Sequence, residues 1–182
     1  MVLASKSPRR RELMKRITPD FIVFDSDVDE DRYKKLSPID ASKCISLKKA
    51  QVAKFAYPDE IIISADTIVV LDNKIINKPK NKKDAYDILK KLSNKEHEVI
   101  TAFTVIKEDK TITDIVVSIV IFNDLNDDLI NSYIESGSPL DKAGAYGIQD
   151  NEKFPIVKSY TGSYDNIVGF PVDEIKEVLE SI

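Results

Sequence analysis

The stretch that most constrains the fold of this 182-residue chain is IIISADTIVVL, residues 61–71. Such a nearly continuous apolar run marks a strand buried on both faces. Asp66 interrupts it. A carboxylate in that setting must be paired, hydrogen-bonded or metal-bound, because burying a lone charge is very costly. The plainer alternative is a turn aspartate that caps the end of the strand.

The N-terminal VLASKSPRRREL is the second informative stretch. A short apolar strand (Val2, Leu3, Ala4) stops at Ser5, and a helix starts at Ser7-Pro8 and runs to about Ile17. Serine is a favoured N-cap, and proline suits the first helical position because its missing N–H would have been an orphan anyway. Arg9 and Arg10 fall in the first turn, where the helix dipole disfavours positive charge, so a negative group is expected to compensate them. Strand end, hydroxyls, free N–H groups and paired guanidiniums together make an anion site, best suited to phosphate. Arg10 continues the apolar stripe of Leu13, Met14 and Ile17, which turns it inward, while Arg11 faces solvent.

Along the rest of the chain, Phe21–Phe24 reads as a strand and DSDVDED as an acidic loop, in which Asp27, Asp29 or Glu30 could reach a metal or the arginines. Ser37-Pro38 opens a helix to about Ala56, with Cys44, Leu47 and Ala50 as inward candidates; Lys48 and Lys49 read as surface lysines. Asp72-Asn73 is a hairpin turn before Ile75-Ile76 and the loop Asn77-Lys78-Pro79-Lys80. A helix over 81–92, strands over 97–106 and 111–122, and helices over 126–135 and 172–179 follow. His97, the only histidine, reads as a strand-edge residue. DKAGAYGIQD (141–150) and GSYDNIVGFP (162–171) read as glycine-punctuated loops, the first carrying Tyr146 and Gln149. This order gives an α/β fold with a mixed sheet, and the length gives one domain over 1–182 that could hold two lobes.

Hydrophobic residues make up 42% of the chain and charged residues 32%, which is ordinary for a soluble globular protein. A net charge of −4 argues against nucleic acid as a partner. The chain has neither the roughly 20-residue apolar run of a membrane helix nor a signal-peptide pattern. Its single cysteine, Cys44, offers no disulfide, and no Cys/His cluster offers a zinc site. The expected location is the cytoplasm.

Six segments, SKSPRRREL, SDVDE, SADTIVV, NKPK, DKAGAYGIQ and GSYDNIVGFP, resemble in order and spacing the Maf family of nucleoside triphosphate pyrophosphatases. The resemblance spans essentially the whole chain. It implies an α/β fold related to the inosine triphosphate pyrophosphatases, with a mixed twisted sheet, flanking helices and two lobes around a deep groove, often as a homodimer. It also implies hydrolysis of a nucleoside triphosphate to the monophosphate and pyrophosphate, assisted by a divalent metal (Mg²⁺ or Mn²⁺). By motif, Asp66, Glu30, Lys49 and Lys78 would be catalytic, with Asp66 and Glu30 holding the metal. Ser5, Arg9, Arg10, Thr67 and Gln149 would bind substrate.

Arg9, Thr67 and Gln149 match the branch similar to dTTP/UTP pyrophosphatases, rather than the branch with Trp, Gln and Glu that acts on 7-methyl-GTP. A Gln amide can meet the N3–H and carbonyls of uracil or thymine with both its acceptor and its donor. Two other roles would fit the resemblance: a house-cleaning pyrophosphatase for modified nucleotides, or a nucleotide-binding regulator of cell division. Departures from the family pattern are Lys6 in place of Gly, Asn77 before Lys-Pro, Phe122-Asn123 without the following Arg, and Asp150-Asn151-Glu152-Lys153 in place of a glycine-rich link.

Overall fold

A computed structural model describes all residues, 1–182. The strands are β1 (Val2–Leu3), β2 (Ile22–Val23), β3 (Ile62–Leu71), β4 (Lys74–Ile76), β5 (Glu96–Lys107), β6 (Lys110–Phe122) and β7 (Val157–Thr161). The helices are α1 (Pro8–Met14), α2 (Pro38–Ala56), α3 (Lys82–Leu92), α4 (Asp127–Glu135), α5 (Tyr164–Val168) and α6 (Val172–Ser181). All seven strands form one mixed sheet in the order β2-β1-β3-β5-β6-β7, with β4 pairing off β3. β1 runs parallel to both β2 and β3, whereas the β3–β4 and β6–β7 pairs are antiparallel.

Sequence reading treats residues 1–182 as one domain that could hold two lobes. The fold divides them into two compact units, one of residues 1–67, 101–116 and 163–182, the other of residues 68–100 and 117–162. The expected elements are present with shifted ends. α1 stops at Met14 rather than Ile17, and β2 keeps only two residues, both exposed. The 141–150 loop is wound into short 3-10 turns, and the acidic loop ends in another, Glu30–Tyr33. Helix α5 forms inside the segment read as a loop, and β7 has no counterpart in the sequence reading.

In the first unit, side-chain alternation along β3 assigns residues to opposite faces. Ile62 packs with Val2, Ala4, Ala50, Ala53 and Ile106, on the α2 side. Ile63 and Ala65 pack with Leu3, Met14, Phe103, Val105, Phe170, Val172 and Ile175, on the α1 and α6 side. The buried face of α2 consists of Ala41, Ser42, Ile45, Ser46, Ala50 and Ala53. Of the three inward candidates only Ala50 is fully buried; Cys44 and Leu47 are intermediate. The helix turns its small residues to the sheet, and Ser46 is held by Ser64 Oγ at 3.1 Å and Thr104 Oγ1 at 3.0 Å. Serine hydroxyls on this face make up the difference from an apolar-stripe reading.

In the second unit, Asp72 and Asn73 both take positive φ (51° and 59°), which matches a tight hairpin between β3 and β4. His97 stands at the start of β5, the strand end where sequence reading puts it, but it is buried there. It is 2% exposed, its Nε2 lies 2.8 Å from the Tyr146 hydroxyl, and it packs edge-on against Phe122 and Tyr146. Burial pushes its pKa down to about 4.

The unfolded chain takes up this proton below about pH 6.5, the native state only below about 4, so acid favours unfolding across that window. Native stability should lose about 3 kcal/mol from this group as pH falls from 6.5 to 4. Urea unfolding at several pH values checks this: the acid-limb slope of His97→Gln should be shallower than wild type by that amount. Equal slopes would remove His97 as the source.

Candidate active site

The side chains singled out around Asp66 and Arg10 lie in the first unit, and alternation along β3 sorts them into two clusters. Asp66 falls on the α2 side. It is 8% exposed. Its Oδ1 accepts from Lys49 Nζ at 3.1 Å and its Oδ2 from Ser42 Oγ at 3.2 Å. Lys49 also donates to Glu30 Oε1 at 2.7 Å. A single ammonium therefore joins the buried carboxylate of β3 to the carboxylate of the Glu30–Tyr33 turn. Lys49 is not the surface lysine that helix position alone makes it: its side chain is only 14% exposed. Two carboxylates share this one ammonium, and the Arg10 guanidinium also lies within electrostatic reach of both.

The second cluster lies on the α1 side. The Arg10 guanidinium donates from Nε to Gly169 O (2.8 Å), from Nη1 to Ala65 O (2.7 Å) and Ser5 Oγ (3.3 Å), and from Nη2 to Thr67 Oγ1 (3.0 Å). Four of its five N–H groups are thus engaged. Neutral oxygens, not a carboxylate, meet the charge that the helix N-terminus disfavours. Burial lowers the pKa of Arg10; the Asp66 carboxylate opposes that shift and the neighbouring Arg9 adds to it. The Thr67 hydroxyl lies 3.0 Å from Thr101 Oγ1 and 3.3 Å from Gly169 O, while Thr101 donates to Asn166 O. Arg10 and Thr67 therefore tie α1, β3 and β5 to the turn after α5.

Gly169 makes this close approach feasible. It has φ +113°, and a Cβ there would stand 3.1 Å from Thr67 Oγ1. Ser5 is 9% exposed and accepts from the backbone N–H of Ser7 as well as from Arg10. Arg9, half-buried on α1, adds a second guanidinium beside it. Lys6, the residue that departs from the expected glycine, forms an exposed pair with Asp25 at 2.8 Å. That contact links the turn before α1 to the acidic loop, with little stabilisation at such exposure.

Two candidates belong to the second unit. Lys78 is exposed in the loop between β4 and α3, and Gln149 is exposed in the 3-10 turn Ile148–Asp150. The Gly144 N–H donates to Asn77 O at 3.4 Å, so the segment leading to Gln149 is tied to the residue before Lys78.

Sequence reading misses Ser42, which shares Asp66 with Lys49, and the Gly169 carbonyl that receives Arg10. A signal for Ser42 exists: Ser42, Ser46 and Lys49 recur at four- and three-residue spacing, which gathers polar groups on one helix face. For a backbone carbonyl no residue-type signal could exist.

The fold is similar to that of the Staphylococcus aureus Ham1 protein. The TM-score is 0.59 at 15% identity, over 99% of this chain and 97% of that one. This places the chain in the same α/β class. The family model described as Maf-like protein matches residues 1–182. A dTTP/UTP pyrophosphatase of Pyrococcus furiosus is 42% identical over 180 residues, 99% of this chain and 94% of its own length. One of Alkaliphilus oremlandii is 45% identical over 184 residues, 100% of this chain and 95% of its own length. The chain belongs to the Maf-like protein family.

Proposed function

We propose that this chain hydrolyses nucleoside triphosphates, dTTP and UTP foremost, to the monophosphate and pyrophosphate at the Asp66 cluster. The observation that carries the reading is the buried Asp66 carboxylate, held on one oxygen by Lys49 and on the other by Ser42. Relatives named dTTP/UTP pyrophosphatase, matched over nearly the whole chain, support the same reaction.

Water attacks the α-phosphorus. The new O–P bond forms as the bond from the α-phosphorus to the α–β bridging oxygen breaks, and pyrophosphate leaves with that electron pair. Asp66 accepts the proton of the attacking water. Lys49, Arg9 and the remaining N–H of Arg10 offset charge on the phosphate oxygens, usually the largest contribution in such chemistry. Ser5 and Thr67 keep Arg10 in place beside the phosphates. In the second unit, Lys78 and Gln149 are the residues that the family motif assigns to phosphate and to the base.

The donor set fits a divalent cation. Asp66 and Glu30 turn hard carboxylate oxygens toward one point, where both accept from the Lys49 ammonium. Mg²⁺ commonly takes one or two protein carboxylates and completes its shell with phosphate oxygens and water. Asp66 and Glu30 would hold it, and it would supply charge neutralisation at the phosphates.

No helix is long and apolar enough to cross a membrane. The free Cys44 supports a cytoplasmic protein. The exposed pair Ile22 and Val23 on the edge strand β2 supports a second copy of the chain as partner.

Pyrophosphate release, measured over canonical and modified triphosphates with Mg²⁺ or Mn²⁺ and with chelator, tests the reading. Turnover should be greatest with dTTP and UTP and lost with chelator. No turnover of any nucleotide would leave a binding protein; turnover of modified nucleotides alone would make it a house-cleaning enzyme.

A further inference from the structure

The reading of Gln149 as the group that meets the base leaves open what holds it. Within the second unit Gln149 is exposed, and no group of that unit takes up its side-chain amide. The backbone on either side is tied down by a buried polar network. Tyr133, on α4 and 0% exposed, accepts from the Gly147 N–H at 3.0 Å and donates its own proton to Asp150 Oδ2 at 2.6 Å. Ser138 Oγ donates to the same Asp150 oxygen at 2.7 Å. Lys142, only 8% exposed, donates to Ser138 Oγ at 3.0 Å, to the Ser138 carbonyl and to Asp141 Oδ1 at 2.9 Å.

Proton direction in this network is fixed by chemistry. A backbone N–H and an ammonium only donate, so the Tyr133 and Ser138 oxygens accept from them and must send their own protons elsewhere. Both go to one acceptor, the Asp150 carboxylate. One hydroxyl, that of Tyr133, thereby spans the segment from two residues before Gln149 to one residue after it.

Two further contacts stiffen the segment. His97 holds Tyr146 on the N-terminal side. Asn151 exchanges hydrogen bonds with the Val157 backbone, N–H to Oδ1 at 2.7 Å and Nδ2–H to O at 3.0 Å, on the C-terminal side. Gly147 completes the arrangement, since a Cβ there would come within 2.8 Å of Lys142 Cε and 3.0 Å of Gln149 Cδ.

We infer that Tyr133, together with Asp150, is a positioning residue for nucleobase selection, whose hydroxyl holds Gln149 in register with a uracil or thymine edge. This rests on the reading of Gln149 as base-contacting. Asp150, at one of the places where the chain departs from a glycine-rich link, supplies the acceptor that fixes the turn. An amide on a fixed turn selects by geometry; on a loose turn it can rotate to suit other bases.

The test measures kcat and KM for UTP and CTP in wild type, Tyr133→Phe, Asp150→Asn and Asp150→Ala, with melting temperatures alongside. CTP replaces the N3–H donor with an acceptor, so it reports loss of discrimination. Tyr133→Phe keeps the ring, which packs 4.9 Å from Phe154, and removes only the hydroxyl. Its KM for UTP should rise about 5- to 20-fold with kcat within about twofold, and the UTP-over-CTP preference should fall by the same factor. Asp150→Ala should follow it. Asp150→Asn retains an oxygen acceptor and should stay near wild type.

An unchanged UTP-over-CTP ratio in folded Tyr133→Phe, whatever its melting temperature, overturns the inference, as does a fall in kcat equal for both substrates. Should Tyr133→Phe fail to fold, Ser138→Ala removes one of the two protons on Asp150 outside the ring core. A smaller loss of preference, about 2- to 5-fold, is then expected, and none would be decisive against it. Wild-type enzyme active on both nucleotides without preference would instead bring down the base-reading role of Gln149.

Discussion

Asp66→Asn should reduce pyrophosphate release by about 10²- to 10³-fold or more while leaving the chain folded. The asparagine is nearly isosteric and can still accept from Ser42 or Lys49 through its carbonyl, so the buried site on β3 keeps a hydrogen-bonded occupant. It cannot take the proton of an attacking water, and it brings no charge to a cation. Lys49 retains Glu30 as its ion-pair partner, so no unpaired ammonium is left behind.

Activity and stability therefore separate in this variant. Steady-state assays should show the loss in kcat, and urea unfolding should show a change within about 1 kcal/mol. Near-normal pyrophosphate release by Asp66→Asn would falsify the central assignment. Glu30→Gln serves as the companion measurement. Glu30 has a side chain 54% exposed and contributes little to folding through its ion pair. A rise in the metal concentration needed for half-maximal rate, without a change in stability, is the expected sign that it shares a cation with Asp66.

What could be read in the sequence divides along physical lines. The run at 61–71 is legible because burial on both faces of a strand leaves no room for polar alternation, and its one carboxylate stands out for the same reason. The N-terminus of α1 is legible because Ser-Pro is a local signal that needs no tertiary partner: Ser7 accepts from the Arg10 N–H as an N-cap. β7 and α5 were not, since Val157–Thr161 is exposed beyond its first residue and Tyr164–Val168 is barely more than one turn. Neither carries a periodic apolar pattern long enough to identify.

Site residues show the same division. Asp66 is conspicuous by its surroundings, but nothing local places Lys49 or Ser42 beside it. They meet it because α2 packs its small-residue face on β3, and small residues carry a weak periodic signal. The fate of Arg10 is a tertiary matter too. Its spacing turns it inward, yet only the strand register shows which oxygens it finds there.

That register makes Arg10→Lys the second large expected effect. β1 supplies backbone donors to β3 only as far as the Ala4 N–H, which reaches Ile63 O at 2.8 Å. The next carbonyl on that edge, Ala65 O, has lost its strand partner, and Arg10 Nη1 takes the vacant place at 2.7 Å. The guanidinium thus continues the ladder where β1 ends, directly before Asp66 in sequence. Its other nitrogens hold Gly169 O and Thr67 Oγ1.

A lysine retains the charge but has one nitrogen in place of a planar fork, and it cannot serve carbonyls on two different elements at once. At least two buried acceptors would be left unsatisfied, at about 1–3 kcal/mol each. Arg10→Lys should therefore lose about 2–6 kcal/mol of stability in urea unfolding. At a temperature where it remains folded it should also lose about 10²-fold in kcat, because the Ala65 carbonyl next to Asp66 and the N–H proposed to meet the phosphates are no longer held in place. The pairing of the two losses is the diagnostic result. A fall in activity at unchanged stability would make Arg10 a phosphate contact only; a fall in stability with normal kcat would make its fork a structural clasp without bearing on the reaction.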